Sequence, residues 1–125
     1  IKPDVESLKK EDSQNLIISL ANTFKKQQAQ TELLLQHMND CPYKIIISGD
    51  LNNTPYSYVY NQIKGDLLDT FDEAGQGFGK TFNQSMFPLR IDFILVDDTF
   101  EVNSFKVFKK NYSDHYPIMT SISLH

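Results

Sequence analysis

The sequence has a single cysteine among its 125 residues and no long apolar run. One thiol, Cys41, excludes a disulfide framework and any CxxC metal or redox motif. No segment approaches the roughly 20 apolar residues of a membrane span, and the first residues lack the apolar core of a secretory signal. Because the chain begins without methionine, we expect it to be an excised piece. Both a cytoplasmic and a cell-envelope-tethered location stay open.

Positive charge is also scarce. Twelve Lys and Arg residues against sixteen Asp and Glu residues give a net charge of -4. A surface of this charge is not suited to bind a polyanion nonspecifically through counterion release, which weighs against sequence-nonspecific DNA cleavage. An anionic substrate therefore needs a local cation. The length and the 40% apolar content fit one globular domain with one core.

The spacing of apolar residues predicts an α+β fold. Residues 15–38 carry apolar side chains every three or four positions, which predicts a long helix that Asp12 or Ser13 caps. Pro42 follows and predicts its end. The β-branched residues 44–48 are too few for a helix and predict a strand that is buried on both faces.

Shorter elements follow along the chain. A short helix is predicted over residues 56–63, with Pro55 near its start, and a brief extended segment over residues 67–71. Further strands are predicted over residues 90–96, 100–108 and 116–124. The order helix, tight turn and buried strand is typical of an α/β fold.

The segment AGQGFGKT, residues 74–81, is one residue short of the phosphate-binding pattern GxxxxGK[ST], because Ala74 replaces the first glycine. Such a loop needs a buried strand before it and a helix that begins at its Lys-Thr pair. Acidic residues precede it instead, and TFNQSMFP, which is poor in helix formers, follows it. We interpret it as a glycine loop feeding a strand, with Lys80 at most a peripheral contact to an anionic substrate.

Polar residues also follow or interrupt two predicted strands. Asp50 and Asn52 come directly after the first strand, at the edge where open α/β sheets place ligands, although a polar turn explains the same letters. Asp92 lies inside the apolar strand RIDFIL, where a charge costs free energy unless it is paired. Arg90, two residues away on the same face, offers a simple ion pair as one explanation.

A third polar segment, Ser113-Asp114-His115, opens the last strand. Consecutive side chains in a strand point to opposite sides, so Asp114 and His115 each need a separate partner. In the order GDxN, RIDFI and SDHYPI, the three segments resemble the endonuclease/exonuclease/phosphatase superfamily of DNase I-like, metal-dependent phosphoesterases. The resemblance covers roughly residues 43–124. It implies half of a four-layer αββα sandwich, with one mixed or antiparallel sheet and the long helix and the short second helix on one face. Residues 1–125 would then form a single partial domain, its C-terminal half.

The resemblance also implies a role for each polar residue. Asp50 would orient or deprotonate the attacking water and share the metal, and Asn52 would hold the scissile phosphate. Asp92 would hydrogen-bond the catalytic His115, which contacts the phosphate, and Asp114 would bind the metal, Mg²⁺ or Mn²⁺. The residue types fit this chemistry, because a carboxylate fixes the tautomer of a histidine and carboxylates bind hard divalent ions.

The N-terminal half of the superfamily pattern cannot be placed in this chain. That half brings a metal-binding Glu and a second catalytic His or Tyr, whereas no apolar strand leads into Glu6, Glu11 or Glu32. We therefore expect the chain alone to be inactive or nearly so. We also expect its uncovered sheet face to bind the missing half or to self-associate.

The leading hypothesis is the C-terminal half of a divalent-metal-dependent hydrolase of phosphodiester or phosphomonoester bonds. One alternative is a superfamily member that has lost catalysis and serves as a binding module, and another is a nucleotide-binding domain that uses AGQGFGKT. The presence of all five implied site residues favours the first hypothesis. Nucleic acid, phospholipid, inositol phosphate and other esters all remain open as substrates.

Overall fold

The computed structural model describes residues 5–50, 58–84 and 89–124, with side-chain environments from residue 12 onward. Its helices are α1 (Val5–Asp40), α2 (Tyr58–Lys64) and α3 (Thr70–Ala74). Its strands are β1 (Ile46–Asp50), β2 (Leu68–Asp69), β3 (Asp92–Val96), β4 (Phe100–Val107) and β5 (Ile118–Leu124). A long N-terminal helix followed by antiparallel strands confirms the predicted α+β class.

Helix α1 begins earlier than its apolar spacing predicts. Asp12 and Ser13 lie inside the helix and do not cap it, so the predicted start is wrong. The preceding residues, VESLKKED, include good helix formers and neither Gly nor Pro, so the helix extends back through them. The end is close to the prediction, because the helix stops at Asp40, two residues before Pro42.

The strands predicted as one sheet are divided between two. Strand β3 lies between β1 and β2, and β4 pairs with β5 in a separate antiparallel hairpin. Val96 is matched by Ile46 on one side and by Leu68 on the other, so both edges of β3 are occupied where the chain turns into β4. Helix α3 packs on the hairpin through an edge-on contact between Phe71 and Phe105, with ring centroids 5.5 Å apart.

The core lies between α2 and one face of β3. Val59, Tyr60 and Ile63 of the helix are buried against Phe93 and Leu95 of the strand. The two aromatic rings of this group, Tyr60 and Phe93, have centroids 4.7 Å apart. Because side chains alternate along a strand, the residues between and beside these two face the opposite side of the sheet. That side carries the candidate site.

Strand β1 is mostly exposed, contrary to the prediction that both of its faces are buried. It forms an edge of its sheet, and Ile46 keeps 53% of its surface exposed. Ile47 is the residue of β1 that packs against the core cluster. The β-branched run of β1 therefore lies at the surface of the described structure and not in its core.

A buried ion pair ties α2, α3 and the approach to β3 together. The Asp69 carboxylate accepts hydrogen bonds from the Tyr60 hydroxyl at 2.5 Å and the Arg90 guanidinium at 2.8 Å. Asp69 also caps α3 by accepting from the Phe71 N–H at 3.0 Å. Burial, reinforced by Asp69, raises the pKa of Tyr60 above its ordinary value.

Two sequence predictions are corrected by this network. The extended segment over residues 67–71 holds only for β2, because the cap at Asp69 starts helix α3 at Thr70. Arg90 does not pair with Asp92 in the described structure. Its guanidinium binds Asp69 and lies 4.4 Å from the ring centroid of Phe71, where it is 5% exposed.

The glycine loop has the backbone of a turn and leads into no helix. Gly77 and Gly79 have φ values of 71° and 66°, a region that L side chains rarely adopt. Irregular backbone and a single β-bridge at Phe82 follow Lys80 and Thr81 through residue 84. This confirms a connecting loop, because a phosphate loop requires a helix to begin at the Lys-Thr pair. The strand predicted to follow it directly is reduced to the single bridge at Phe82.

The two positive-φ glycines of this loop make a matched pair for a stability test. A Cβ at Gly79 would lie 2.6 Å from a ring carbon of Phe71 and 2.8 Å from Cδ of Arg90, whereas a Cβ at Gly77 meets nothing within 4 Å. We expect Gly77→Ala to lower the free energy of unfolding by about 1 kcal/mol through backbone strain alone. Gly79→Ala should lower it by about 2 kcal/mol, because overpacking is added. Urea unfolding measures both, and equal losses would contradict the predicted contact.

Candidate active site

The ladder between β1 and β3 places two carboxylates side by side. Asp50 ends β1 directly opposite Asp92, the first residue of β3. Both lie on the sheet face away from the core cluster, because Phe93 occupies the alternate position. With Ser48, Ile94 and Ile118 they line a cleft of about 270 Å³.

His115 lies between these carboxylates. Its Nδ1 is 2.8 Å from Oδ2 of Asp92, and its Nε2 is 3.5 Å from Oδ2 of Asp50. The side chains of Asp50 and His115 are about one-third exposed, at 34% and 30%, and that of Asp92 is 17% exposed. The imidazole thus has one nitrogen engaged by the more buried carboxylate and the other in the open part of the site.

Backbone contacts hold the segment that carries His115. Phe82 and His115 form an isolated antiparallel bridge, and their rings meet edge-on at 5.5 Å. The Asn83 N–H donates to the Asp114 carbonyl at 2.8 Å, and the His115 N–H donates to Oγ of Ser113 at 3.0 Å. The loop that ends in Ser113-Asp114-His115 is therefore fastened to the strand-like segment that follows the glycine loop.

The electrostatics of the site favour the protonated imidazole. The hydrogen bond with Asp92 raises the pKa of His115 above its ordinary value of 6.5, and the charges of Asp92, Asp50 and Asp114 add to this while burial opposes it. With the Nδ1 proton donated to Asp92, Nε2 is the nitrogen that can exchange a proton with a ligand.

The effect of Asp92 on His115 can be measured directly. We expect Asp92→Asn to lower the pKa of His115 toward 6.5, because the amide carries no charge to stabilise the imidazolium. In the unchanged chain, the pair adds stability that is fully present below pH 6.5 and is lost as the pH rises through the raised pKa. An NMR titration of the imidazole signals reads the shift. The signals of His37 serve as an internal control, and an unchanged pKa of His115 would contradict the prediction.

The structure brings together three of the five residues that the sequence singles out. Asp50, Asp92 and His115 form one cluster. Asp114 offers its backbone carbonyl to Asn83 but is not part of that cluster. Asn52 lies outside the described residues. The metal-ligand role of Asp114 and the phosphate-holding role of Asn52 stay predictions.

One contact at the site is indicated by no sequence pattern. The hydroxyl of Thr81 accepts the N–H groups of Ile91 and Asp92, at 3.0 and 3.2 Å. The sequence offered Thr81 only as the last letter of an imperfect phosphate loop. A threonine that bonds to the backbone of another strand has no local spacing by which it can be recognised.

The cluster has donor atoms suited to a divalent cation. One oxygen from each carboxylate and one nitrogen of His115 lie within 4.8 Å of one another. Carboxylate oxygens suit Mg²⁺ and Mn²⁺, and an imidazole nitrogen suits Mn²⁺ and the later transition metals. The cluster is therefore a possible metal site whose chemistry does not single out one ion.

A second, larger cleft of about 730 Å³ lies beside the glycine loop. Phe78, Lys80, Phe105 and Lys109 are among its lining residues, and none of the three clustered residues is. Lys80 thus lines a different cleft from the one that Asp50 and Asp92 share.

None of the helices in the described part of the chain combines the length and apolar character needed to cross a lipid bilayer.

Comparison with known proteins matches this chain to one family. The model of the endonuclease/exonuclease/phosphatase family aligns with residues 19–115, which confirms the resemblance seen in the three polar segments. No curated protein sequence matches the chain at a significant level.

Several solved structures share the fold. A mannosyl-6-phosphatase from Bacteroides thetaiotaomicron has a TM-score of 0.69 and 23% identity, over 80% of this chain and 46% of its own. A functionally unknown conserved protein from Enterococcus faecalis has a TM-score of 0.69 and 20% identity, over 79% of this chain and 44% of its own. An endonuclease/exonuclease/phosphatase from Bacteroides vulgatus has a TM-score of 0.67 and 22% identity, over 81% of this chain and 45% of its own. These likenesses show the DNase I-like fold, and the chain spans less than half the length of the structures it matches.

Proposed function

Because this chain belongs to the endonuclease/exonuclease/phosphatase family, we propose that it supplies half of the active site of a divalent-metal-dependent phosphoester hydrolase. The observation that carries the proposal is the position of His115, with Nδ1 held by Asp92 at 2.8 Å and Nε2 facing Asp50 at 3.5 Å. A carboxylate-held histidine beside a second, accessible carboxylate is an acid–base pair suited to phosphoryl chemistry.

The residues divide the chemistry between them. Asp92 fixes the tautomer of His115 and favours its charged form, so that Nε2 can stabilise negative charge on a phosphate or donate a proton to the leaving oxygen. Asp50, whose side chain is one-third exposed, orients or deprotonates the attacking water. Asn52, two residues further on, is proposed to hold the scissile phosphate.

Asp50 and Asp114 are the carboxylates that we assign to the ion, since Asp92 is already engaged by His115. A divalent ion held by Asp50 and Asp114 would neutralise charge on the phosphate and lower the pKa of a coordinated water. It would also provide the local cation that the net charge of -4 calls for. The pKa of His115 is raised first by its hydrogen bond with Asp92, and the charges of Asp50 and Asp114 contribute less.

The exposed apolar surface supports a missing partner segment. Helix α1 exposes several large apolar side chains, and β1 exposes Ile46. On α1 these are Leu16, Ile17, Ile18, Leu20, Phe24 and Leu33. We propose that residues 1–125 are a partial domain and that the N-terminal half of the same domain covers this surface. Without that half the chain should self-associate, and a monomer in sedimentation at high protein concentration would contradict this.

The experiment compares the full-length protein that contains this chain with the chain alone. Hydrolysis of p-nitrophenyl phosphate and of bis(p-nitrophenyl) phosphate is measured with Mg²⁺, with Mn²⁺ and with a chelator. We expect metal-dependent release of p-nitrophenol by the full-length protein and little or none by the 125 residues. Binding of either ester without hydrolysis would instead favour a binding module that has lost catalysis. Equal activity of the chain alone would refute the half-site proposal.

A further inference from the structure

We propose that Thr81, the last residue of the segment AGQGFGKT, is a positioning residue that aligns Asp92 with His115. The effect of Thr81 on catalysis rests on the proposed function. The alignment of Asp92 with His115 does not, because it follows from the contacts of one buried residue. The segment that resembles a phosphate loop would then act on the site indirectly. The hydroxyl and backbone of its last residue would hold Asp92 and His115 in place, and the loop itself would not bind phosphate.

The side chain of Thr81 fixes the start of β3. Its Oγ1 accepts the N–H of Ile91 at 3.0 Å and the N–H of Asp92 at 3.2 Å, and the residue is completely buried. A hydroxyl oxygen has two lone pairs, and these two amides use both of them. The backbone of Asp92 is thus held from the side of Thr81 as well as by its ladder with β1.

The backbone of Thr81 fixes the segment that carries the histidine. The Thr81 carbonyl accepts the N–H of Tyr116 at 2.7 Å, and the next residue, Phe82, forms the bridge with His115. A second anchor is the Thr81 N–H, which donates to the Leu89 carbonyl at 2.9 Å. One residue therefore contacts the chain on both sides of the 2.8 Å bond between Asp92 and His115.

This double contact matters because the bond that it supports is sensitive to small displacements. Productive catalytic geometry has to be held within about 0.5 Å by residues that are themselves locked in place. Thr81 satisfies that condition, since it is fully buried and its three polar atoms are bonded to two segments of the chain, residues 89–92 and Tyr116. We infer that loss of its hydroxyl lets the start of β3 shift relative to His115.

Thr70 provides a matched control for a purely structural role. It is also completely buried, and its hydroxyl donates to the Ile94 carbonyl of the same strand at 2.9 Å. Valine at either position keeps the shape and removes the hydroxyl. At position 81 this leaves two amides without an acceptor, and at position 70 it leaves one carbonyl without its donor, so both changes should destabilise the fold. Only the change at position 81 should disturb the Asp92–His115 bond.

The test is made by NMR on the full 125-residue chain, without metal or substrate. The probe is the downfield imidazole N–H signal of His115, which slow exchange makes visible while the proton is held by Asp92. We expect Thr81→Val to lose most of this signal and Thr81→Ser to keep it, because serine retains the accepting oxygen. Thr70→Val should keep the signal although its unfolding midpoint also falls. Should Thr81→Val not fold, Thr81→Cys, with its weak sulfur acceptor, is expected to weaken the signal.

A folded Thr81→Val chain with an undiminished His115 signal would overturn the proposal, and so would an equal loss in Thr70→Val. The NMR result does not depend on hydrolysis, so it tests the positioning role of Thr81 even if the proposed function is wrong. In the full-length protein, Thr81→Val should lower kcat by about 10–100-fold with little change in KM, and Thr70→Val should change neither. A change in KM alone would contradict a positioning role.

Discussion

Alanine in place of His115 is expected to lower the rate of phosphoester hydrolysis by the full-length protein by about 10²–10⁴-fold, the range over which a positioned acid–base group acts. The imidazole is the group that joins both carboxylates of the site, through Nδ1 to Asp92 and Nε2 toward Asp50. Its removal deletes the proton donor and leaves Asp92 without the partner that offsets its charge. Steady-state kinetics with bis(p-nitrophenyl) phosphate and Mg²⁺ measure the loss in kcat.

His37→Ala is the matched control. His37 lies in the last turn of α1, outside the cluster, so its removal should leave kcat and KM unchanged. Retention of more than about a tenth of the activity in His115→Ala would remove this residue from an acid–base role. An equal loss in both variants would show that the assay reports folding and not chemistry.

Asp69→Asn is expected to lower the free energy of unfolding by about 3–5 kcal/mol, the usual cost of removing one partner of a buried ion pair. Asp69 is 1% exposed and Arg90 5% exposed, so the guanidinium has little water to replace the lost carboxylate. The Tyr60 hydroxyl also loses its charged acceptor. Urea unfolding of the 125-residue chain, followed by circular dichroism, measures the change.

Asp72→Asn tests whether burial is the cause. Asp72 approaches the same guanidinium at 3.6 Å, but its side chain is 54% exposed. An exposed pair of this kind contributes about 0–1 kcal/mol. Partial burial, with the charge of Asp69 next, raises the pKa of Asp72. Similar losses in the two variants would contradict the assignment of the stability to the buried pair.

The sequence predicts those parts of the fold that rest on local periodicity. The β-branched and alternating runs of β3, β4 and β5 appear in the structure at nearly the predicted place, and α1 is present with its end near the predicted one although it begins earlier. Boundaries set by single side chains are predicted less well. Helix α3 depends on the cap at Asp69, and an aspartate in an acidic, turn-rich segment has no distinct spacing before its bonds are known.

The candidate site was predictable only in part, for a physical reason. The motifs name Asp50, Asp92 and His115, but the choice of partner is made in three dimensions. Spacing along the strand suggests Arg90 as the partner of Asp92, but Arg90 pairs with Asp69. The hydroxyl of Thr81 accepts hydrogen bonds from backbone amides ten and eleven residues further along the chain, which no local pattern indicates. The predicted burial of β1 failed because sequence reports apolar character, while exposure depends on which other segments are present.

The pairing of Asp50 with Asp92 across the sheet has a thermodynamic consequence. Like charges directly opposite each other destabilise an antiparallel ladder, so the folded chain carries a repulsion that the unfolded chain escapes. We expect a divalent cation bound at Asp50 to relieve part of that repulsion in the folded state alone. Folding and ion binding would then be linked equilibria, so we expect a bound divalent ion to raise the unfolding midpoint and unfolding to release the ion.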